Sequence, residues 1–192
     1  MSEIKVIKIG GKVIDDEAKL DQFLQDFAQI EERKILVHGG GKIASDVAEK
    51  LGLKSKMING RRITDANMID VVTMVYGGLV NKKIVAKLQA LGCNAIGLSG
   101  ADMNLIQSKK RDPEPIDFGF VGDIEQVDAT VLNSLLNEEI TPVIAPLTHD
   151  GNGQLLNTNA DNIAGFIASG LADHGDVAMD LCFDLEGVMN GE

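Results

Sequence analysis

Tryptophan is absent and aromatic residues make up only 4% of the chain, so the stacking platforms that bind single-stranded nucleic acid are not expected. Basic residues are in the minority. The 18 Lys and Arg face 29 Asp and Glu, and the formal net charge of −11 disfavours a general binder of nucleic acid or anionic membrane. Any anionic ligand must be captured by a local arrangement of cations and amides. The two cysteines, Cys93 and Cys182, form no CxxC pair, and His38, His149 and His174 are scattered, so a disulfide scaffold and a structural zinc site both lack ligands. No apolar run approaches the roughly 18 to 20 residues of a membrane span, and the start, Met-Ser-Glu-Ile-Lys, carries no signal-peptide block. A cytoplasmic location is expected. What the 192 residues do have is 44% hydrophobic content with 24% charge, enough to bury a core and to exclude a disordered polymer.

Short β-branched runs alternate with longer segments of helical period, the pattern of an α/β protein with a mostly parallel sheet. The spacing predicts strands at 4–9 and 34–37, each ended by glycines, with helices at 16–30 and 43–51 after them. Residues 54–62 alternate around Asn59-Gly60, a strong hairpin signal. A long helix is expected from about Ala66 to Leu91, with a soft spot at Gly77-Gly78. Further strands are read at 95–98 and 142–145, and further helices at 129–137 and from Asn159 past Ile167. Between them lie an exposed loop or hairpin over 108–117 and a tight turn at Asp150-Gly151-Asn152-Gly153, with a last strand-like run over 176–183. Asp180 interrupts that run where a buried parallel strand would be uniformly apolar. Neither an internal repeat nor a long linker is visible, and one domain is expected.

Gly10-Gly11 and Gly39-Gly40-Gly41 each follow a strand and precede a helix, at the carboxyl edge of the sheet, where bare amides at a helix start can meet anionic oxygen. Either glycine run alone reads equally well as a simple tight turn. Neither fits GxGxxG, and Gly41-Lys42 is followed by isoleucine where a P-loop needs Ser or Thr, so a nicotinamide dehydrogenase and a P-loop enzyme both stand well below other readings. Lys8 shares a strand face with Val6 and Gly10, which brings its ammonium out beside the first turn. A fixed cation there suits phosphoryl transfer, although an edge-strand lysine can also reach water. Asn157-Thr158-Asn159-Ala160-Asp161 is a polar cluster at a strand-to-helix junction; capping accounts for Asn159 and the acid after it, but not for Asn157. Arg62 could pair bidentately with a carboxylate, or be a solvated charge.

Together, Lys8-Ile-Gly-Gly11, Val37-His-Gly-Gly-Gly41, Asn59-Gly-Arg-Arg-Ile-Thr64, Gly97-Leu-Ser-Gly100, Gly119-Phe-Val-Gly122 and Leu156-Asn-Thr-Asn-Ala-Asp161 resemble the amino acid kinase family, and within it the acetylglutamate kinases, over nearly the whole chain. The resemblance implies a three-layer α/β sandwich with a mostly parallel sheet, the carbamate kinase-like fold. It implies phosphorylation of the γ-carboxylate of an N-acylglutamate, acetyl or succinyl, by ATP, in arginine biosynthesis. By the same resemblance Lys8 and Asp161 are catalytic, Lys8 on the transferred phosphoryl group and Asp161 holding the lysine. Gly10, Gly11 and Gly41 are phosphate-binding, and Gly40, Gly41, Arg62, Asn157 and Asn159 bind the acylated amino acid. Mg²⁺ is expected through the nucleotide phosphates, with no dedicated protein ligands. A carboxylate acceptor, with a pKa near 4.3, is already ionised at neutral pH, so no general base is required. The 66–91 helix forms a homodimer interface in the family; core packing explains its apolar residues equally well.

Members of the family are longer by roughly a third, through a C-terminal nucleotide lobe that carries a second catalytic lysine. Residues 1–192 are therefore expected to correspond to the acylglutamate lobe and the start of the ATP lobe, with Cys182 to Val188 leading into the latter. A fragment, an omitted remainder and a naturally short protein remain open, and a non-catalytic acyl-amino-acid binding or regulatory module is the alternative. Insensitivity to arginine is expected, because Lys8 falls so near the start.

Overall fold

The apolar runs of the sequence become the strands of one parallel sheet. The computed structural model describes residues 3–182, so the expectations for Phe183 to Val188 lie outside the described residues. In chain order the elements are β1 (Ile4–Ile9), α1 (Gly11–Asp15), α2 (Glu17–Ala28), β2 (Arg33–His38), α3 (Gly41–Lys50), β3 (Lys56–Ile58) and β4 (Arg61–Ile63). A long helix follows as α4 (Ala66–Val72), a π-helical stretch (Thr73–Val80) and α5 (Asn81–Ala90). Then come β5 (Ala95–Leu98), β6 (Ile106–Lys110), β7 (Gly122–Val127), α6 (Ala129–Asn137), β8 (Thr141–Ile144), β9 (Leu147–His149), β10 (Leu155–Asn157), α7 (Ala160–Leu171) and β11 (Val177–Cys182).

The main sheet has the order β11-β1-β2-β8-β5, with every neighbouring pair parallel. Side chains alternate across it. Ile7, Ile9 and Leu36 pack with α2, α3 and the 66–90 helix, whereas Ile4, Val6, Ile35 and Val37 pack with α6 and α7. This makes three layers with a core on each side of the sheet. In α2, Leu20, Leu24 and Phe27 repeat at helical spacing and are almost completely buried, and each such side chain contributes about 1.5–3 kcal/mol of transfer free energy. Asp16 stops α1 and starts α2, its carboxylate accepting the amides of Ala18 and Lys19.

Gly77 and Gly78 do not break the long helix; they sit within its π-helical stretch, where the chain carries an extra residue per turn. Asn59 (φ 49°) and Gly60 (φ 74°) both take positive φ, as a two-residue hairpin of this kind demands. A second sheet, in the order β10-β9-β6-β7, mixes two antiparallel pairs with one parallel contact and follows the carboxyl ends of β5 and β8. The expected exposed loop or hairpin over 108–117 overlaps the end of β6 and part of the connection to β7, and neither β6, β7 nor β9 was expected as a strand. Asp180 is tolerated because β11 is the edge of the main sheet among the described residues, with Met179, Asp180 and Leu181 all exposed.

Candidate active site

Lys8 emerges from β1 on the α7 side of the sheet, and its ammonium lies 2.6 Å from Oδ1 of Asp161, in the first turn of α7. The lysine is 7% exposed. The polar cluster before α7 divides its tasks residue by residue. Asn159 is the cap, its Oδ1 accepting the amides of Asp161 (2.8 Å) and Asn162 (3.1 Å), and an acid in that turn is favoured by the helix dipole. The hydroxyls of Thr158 and Thr148 lie 2.8 Å apart. Asn157 ends β10 and donates from Nδ2 to Oγ1 of Thr64, 3.0 Å away beyond the β3–β4 hairpin.

The two glycine turns converge on this point. Gly11 and Gly41 are the first residues of α1 and α3, so helix geometry leaves their amides without an intrahelical acceptor. Gly10 behaves differently from the expectation of a phosphate ligand. Its amide donates to the carbonyl of Cys182 (3.2 Å), which extends the β1–β11 ladder, and the residue lies outside the cleft described below. Gly40 holds φ +147°, and a Cβ there would stand 3.2 Å and 3.3 Å from the ring of Tyr76 and 3.4 Å from Val80. Tyr76 thus backs the second turn. Burial pushes its phenol pKa up, and the neighbouring Arg62 guanidinium opposes that shift.

A cleft of about 600 Å³ is lined by Lys8, Gly11, Gly40, Gly41, Arg62, Asn157, Asn159 and Asp161 together, so every sequence-predicted residue except Gly10 shares one cavity. Arg62 is 7% exposed and largely committed to the protein. It donates to the Gly41 carbonyl (2.6 Å), Ser45 Oγ (2.9 Å) and Ser55 Oγ, and approaches the Met68 sulfur at 3.9 Å. It therefore clasps the hairpin to the start of α3 as well as facing the cavity. No local pattern announces this clasp, because a backbone carbonyl 21 residues away leaves no trace in composition or period.

Four more cations line the cleft: Lys12, Lys42, Arg61 and Arg111. Lys12 and Lys42 each follow the first glycine of a helix, where an acid would suit the dipole and a lysine does not; that misfit was a usable signal. Arg111 is fixed by Asp123 through Nε (3.0 and 3.2 Å) and stacks 5.8 Å from the Phe118 ring, and its guanidinium holds the Asp123 carboxyl below the usual carboxylate range. The segment carrying it is tied in by Thr64 N to Phe118 O (2.9 Å), Phe120 N to Thr64 O (2.7 Å) and Asn157 N to Phe120 O (2.9 Å). Asp15 is the cavity's other acid besides Asp161, and burial raises its pKa. Six cations against two carboxylates, in a chain of net charge −11, make a local trap for anions. Among the described residues no group of three or more His, Cys, Asp or Glu could hold a metal ion.

Residues 3–191 match the model of the amino acid kinase family. The chain is 58% identical over 190 residues to an acetylglutamate kinase of Bacteroides fragilis, covering 99% of this chain and 73% of that relative. Among solved structures, smu.665 from Streptococcus mutans UA159 superposes with a TM-score of 0.80 at 28% identity, over 98% of this chain and 76% of the other. A carbamate kinase from Giardia shares the fold, with a TM-score of 0.63 at 10% identity over 94% and 72% of the two chains.

Proposed function

The chain belongs to the amino acid kinase family, and from that premise we propose that it is an acetylglutamate kinase, transferring the γ-phosphoryl group of ATP to the γ-carboxylate of N-acetylglutamate in arginine biosynthesis. The observation that carries this reading is the Lys8–Asp161 pair facing the free amide ends of α1 and α3 across one cationic cleft. Two anions must be brought together before any bond forms. Lys8 offsets charge on the transferring phosphoryl group, Asp161 fixes where that ammonium stands, and the amides of Gly11 and Gly41 donate to its oxygens. Asn157, Asn159, Gly40 and Arg62 hold the acylated amino acid. The ionised γ-carboxylate attacks phosphorus, and the γ-phosphorus–oxygen bond to ADP breaks, without a proton to remove. Mg²⁺ belongs to this reading through the phosphates of ATP, since magnesium commonly keeps substrate oxygens and waters as ligands.

Three finer readings accompany it. Met57, Gly60, Arg61 and Arg111 line the hairpin end of the cavity, and two guanidinium groups there suit the extra carboxylate of an N-succinyl group, so N-succinylglutamate is a candidate acceptor. Met74 and Leu79, both 55% exposed on the π-helical stretch, favour a homodimer through the 66–91 helix. Residues 1–192 are read as one domain, the acylglutamate lobe with the start of the ATP lobe, in a cytoplasmic protein; among the described residues no helix is long and apolar enough to cross a membrane.

The test combines calorimetry with N-acetylglutamate or N-succinylglutamate and an assay with ATP and Mg²⁺ in which hydroxylamine traps the acyl phosphate as hydroxamate. Binding with hydroxamate formation is expected. Binding without hydroxamate would leave a binding module in place of a kinase, and no binding of either acylglutamate would remove both.

A further inference from the structure

His38, the last residue of β2, is fully buried, does not line the cleft, and has no part in the reaction described above. Both its ring nitrogens are engaged. Nε2 lies 3.1 Å from Nδ2 of Asn81, whose amide also donates to the Val143 carbonyl (2.9 Å). An NH₂ group can only donate, so Nε2 accepts, the ring proton sits on Nδ1, and Nδ1–H donates to the Gly39 carbonyl at 2.8 Å. Burial lowers the pKa of His38 to about 4, which keeps the ring in this neutral form.

Asn81, 1% exposed, is fixed in turn. Lys82 donates to its Oδ1 (3.2 Å) and to the Gly97 carbonyl (2.9 Å), and a Cβ on Gly97 would fall 1.8 Å from that Oδ1. Gly97, otherwise without a task, is thus the notch that admits Asn81. In a planar trans peptide the Gly39 carbonyl and the Gly40 amide point in opposite directions, so orienting one orients the other. Tyr76 and Val80, from the helix that also carries Asn81, pack close to Gly40.

We propose that His38 is a positioning residue for phosphoryl transfer: its Nδ1–H, braced by Asn81, sets the Gly39–Gly40 peptide and so aims the second glycine turn, Gly40 at the acylated amino acid and Gly41 at the phosphoryl group. The proposal rests on the kinase reading above. Two substitutions separate its two contacts. In His38→Asn the side-chain amide falls where Nδ1 was and keeps the Gly39 contact, whereas in His38→Gln the carbonyl falls where Nε2 was and keeps the Asn81 contact. Hydroxamate assays on protein shown to be folded by circular dichroism should find kcat for His38→Gln lower by about 10- to 100-fold, with KM for N-acetylglutamate raised by more than about threefold because the released peptide carries the Gly40 amide. His38→Asn should recover most of kcat. A purely structural role predicts equal activity per folded molecule in both variants, and that result would overturn the proposal. ¹⁵N NMR of the wild type gives a reading independent of turnover. An Nε2–H tautomer with normal kinase activity defeats the positioning role alone; an Nδ1–H tautomer in a protein forming no acyl phosphate defeats the kinase reading and the positioning role with it.

Discussion

Three glycines separate backbone strain from crowding, and their alanine variants should rank in a fixed order. Gly165 lies in the middle of α7 with nothing within 4 Å of an added Cβ, so Gly165→Ala should stabilise by about 0.5–1 kcal/mol through backbone entropy. Gly60 has equally open space but φ +74°, and Gly60→Ala should cost about 1–2 kcal/mol, the strain of a left-handed residue alone. Gly40 adds to φ +147° three contacts of 3.2 to 3.4 Å against Tyr76 and Val80, both within the packed core. Forcing a methyl into a well-packed site costs about 1–3 kcal/mol, so with the strain Gly40→Ala should lose about 2–5 kcal/mol. Each kcal/mol shifts Tm by about 2–4 °C in a domain of this size. Thermal denaturation should therefore show a rise for Gly165→Ala, a small fall for Gly60→Ala and a fall of about 4–20 °C for Gly40→Ala, the last with weakened binding of N-acetylglutamate by calorimetry. Equal losses for Gly60→Ala and Gly40→Ala would refute the claim that Tyr76 and Val80 grip the turn.

Arg62→Ala should raise the Kd for N-acetylglutamate by about 10- to 100-fold by calorimetry, since one charge-assisted hydrogen bond is worth about 1.5–3 kcal/mol; Arg62→Lys should fall between, because an ammonium cannot serve the Gly41 carbonyl and a carboxylate in the same fork. Met74→Lys with Leu79→Lys should shift the protein from dimer to monomer by light scattering at unchanged circular dichroism, and a wild type that is already monomeric would refute the helix interface. His38 predicts an acid limb of stability. Its folded pKa of about 4 lies below the ordinary 6.5, so the unfolded chain takes up the proton first; stability is complete above pH 6.5 and is lost as pH falls from there towards 4. The loss is about 3 kcal/mol, with Lys82 the neighbouring charge that adds to the shift, and urea titrations of His38→Asn should lack that limb while keeping the part due to carboxylates such as Asp123.

Strands of the main sheet were legible because burial on two faces leaves runs rich in β-branched residues, such as Ile4–Ile9 with Ile or Val at four of its six positions, and Asn59-Gly60 announced its hairpin because few residues tolerate both φ values. The second sheet was not legible for the opposite reason. β6 and β7 carry Lys109, Lys110, Glu125 and Gln126, and β9 has three residues, so their identity as strands comes from pairing between distant segments rather than from local pattern. The same division runs through the site. Lys8, Gly11, Gly41 and Asp161 follow from where strands end and helices begin. Gly10 was misplaced because β11, more than 160 residues later, takes its amide, and the position of Arg111 in the cleft could not be read from the sequence because nothing local says that residues 118–121 fold back onto Thr64 and Asn157.

The acidic balance of the chain and the cationic cleft are two sides of one physical arrangement. With a net charge of −11, long-range attraction does not bring an anionic substrate to this protein, and at physiological ionic strength fields beyond about 8 Å are screened in any case. Affinity must come from groups within contact distance. Lys8 and Arg62 are each only 7% exposed and held by protein acceptors, so a substrate oxygen that reaches them meets cations whose positions are already set and whose water has been largely removed. In that setting each interaction is stronger than in water and little reorganisation remains for the moment of transfer. Binding should accordingly depend weakly on salt, whereas an interface of exposed lysines would lose affinity steeply over the same range.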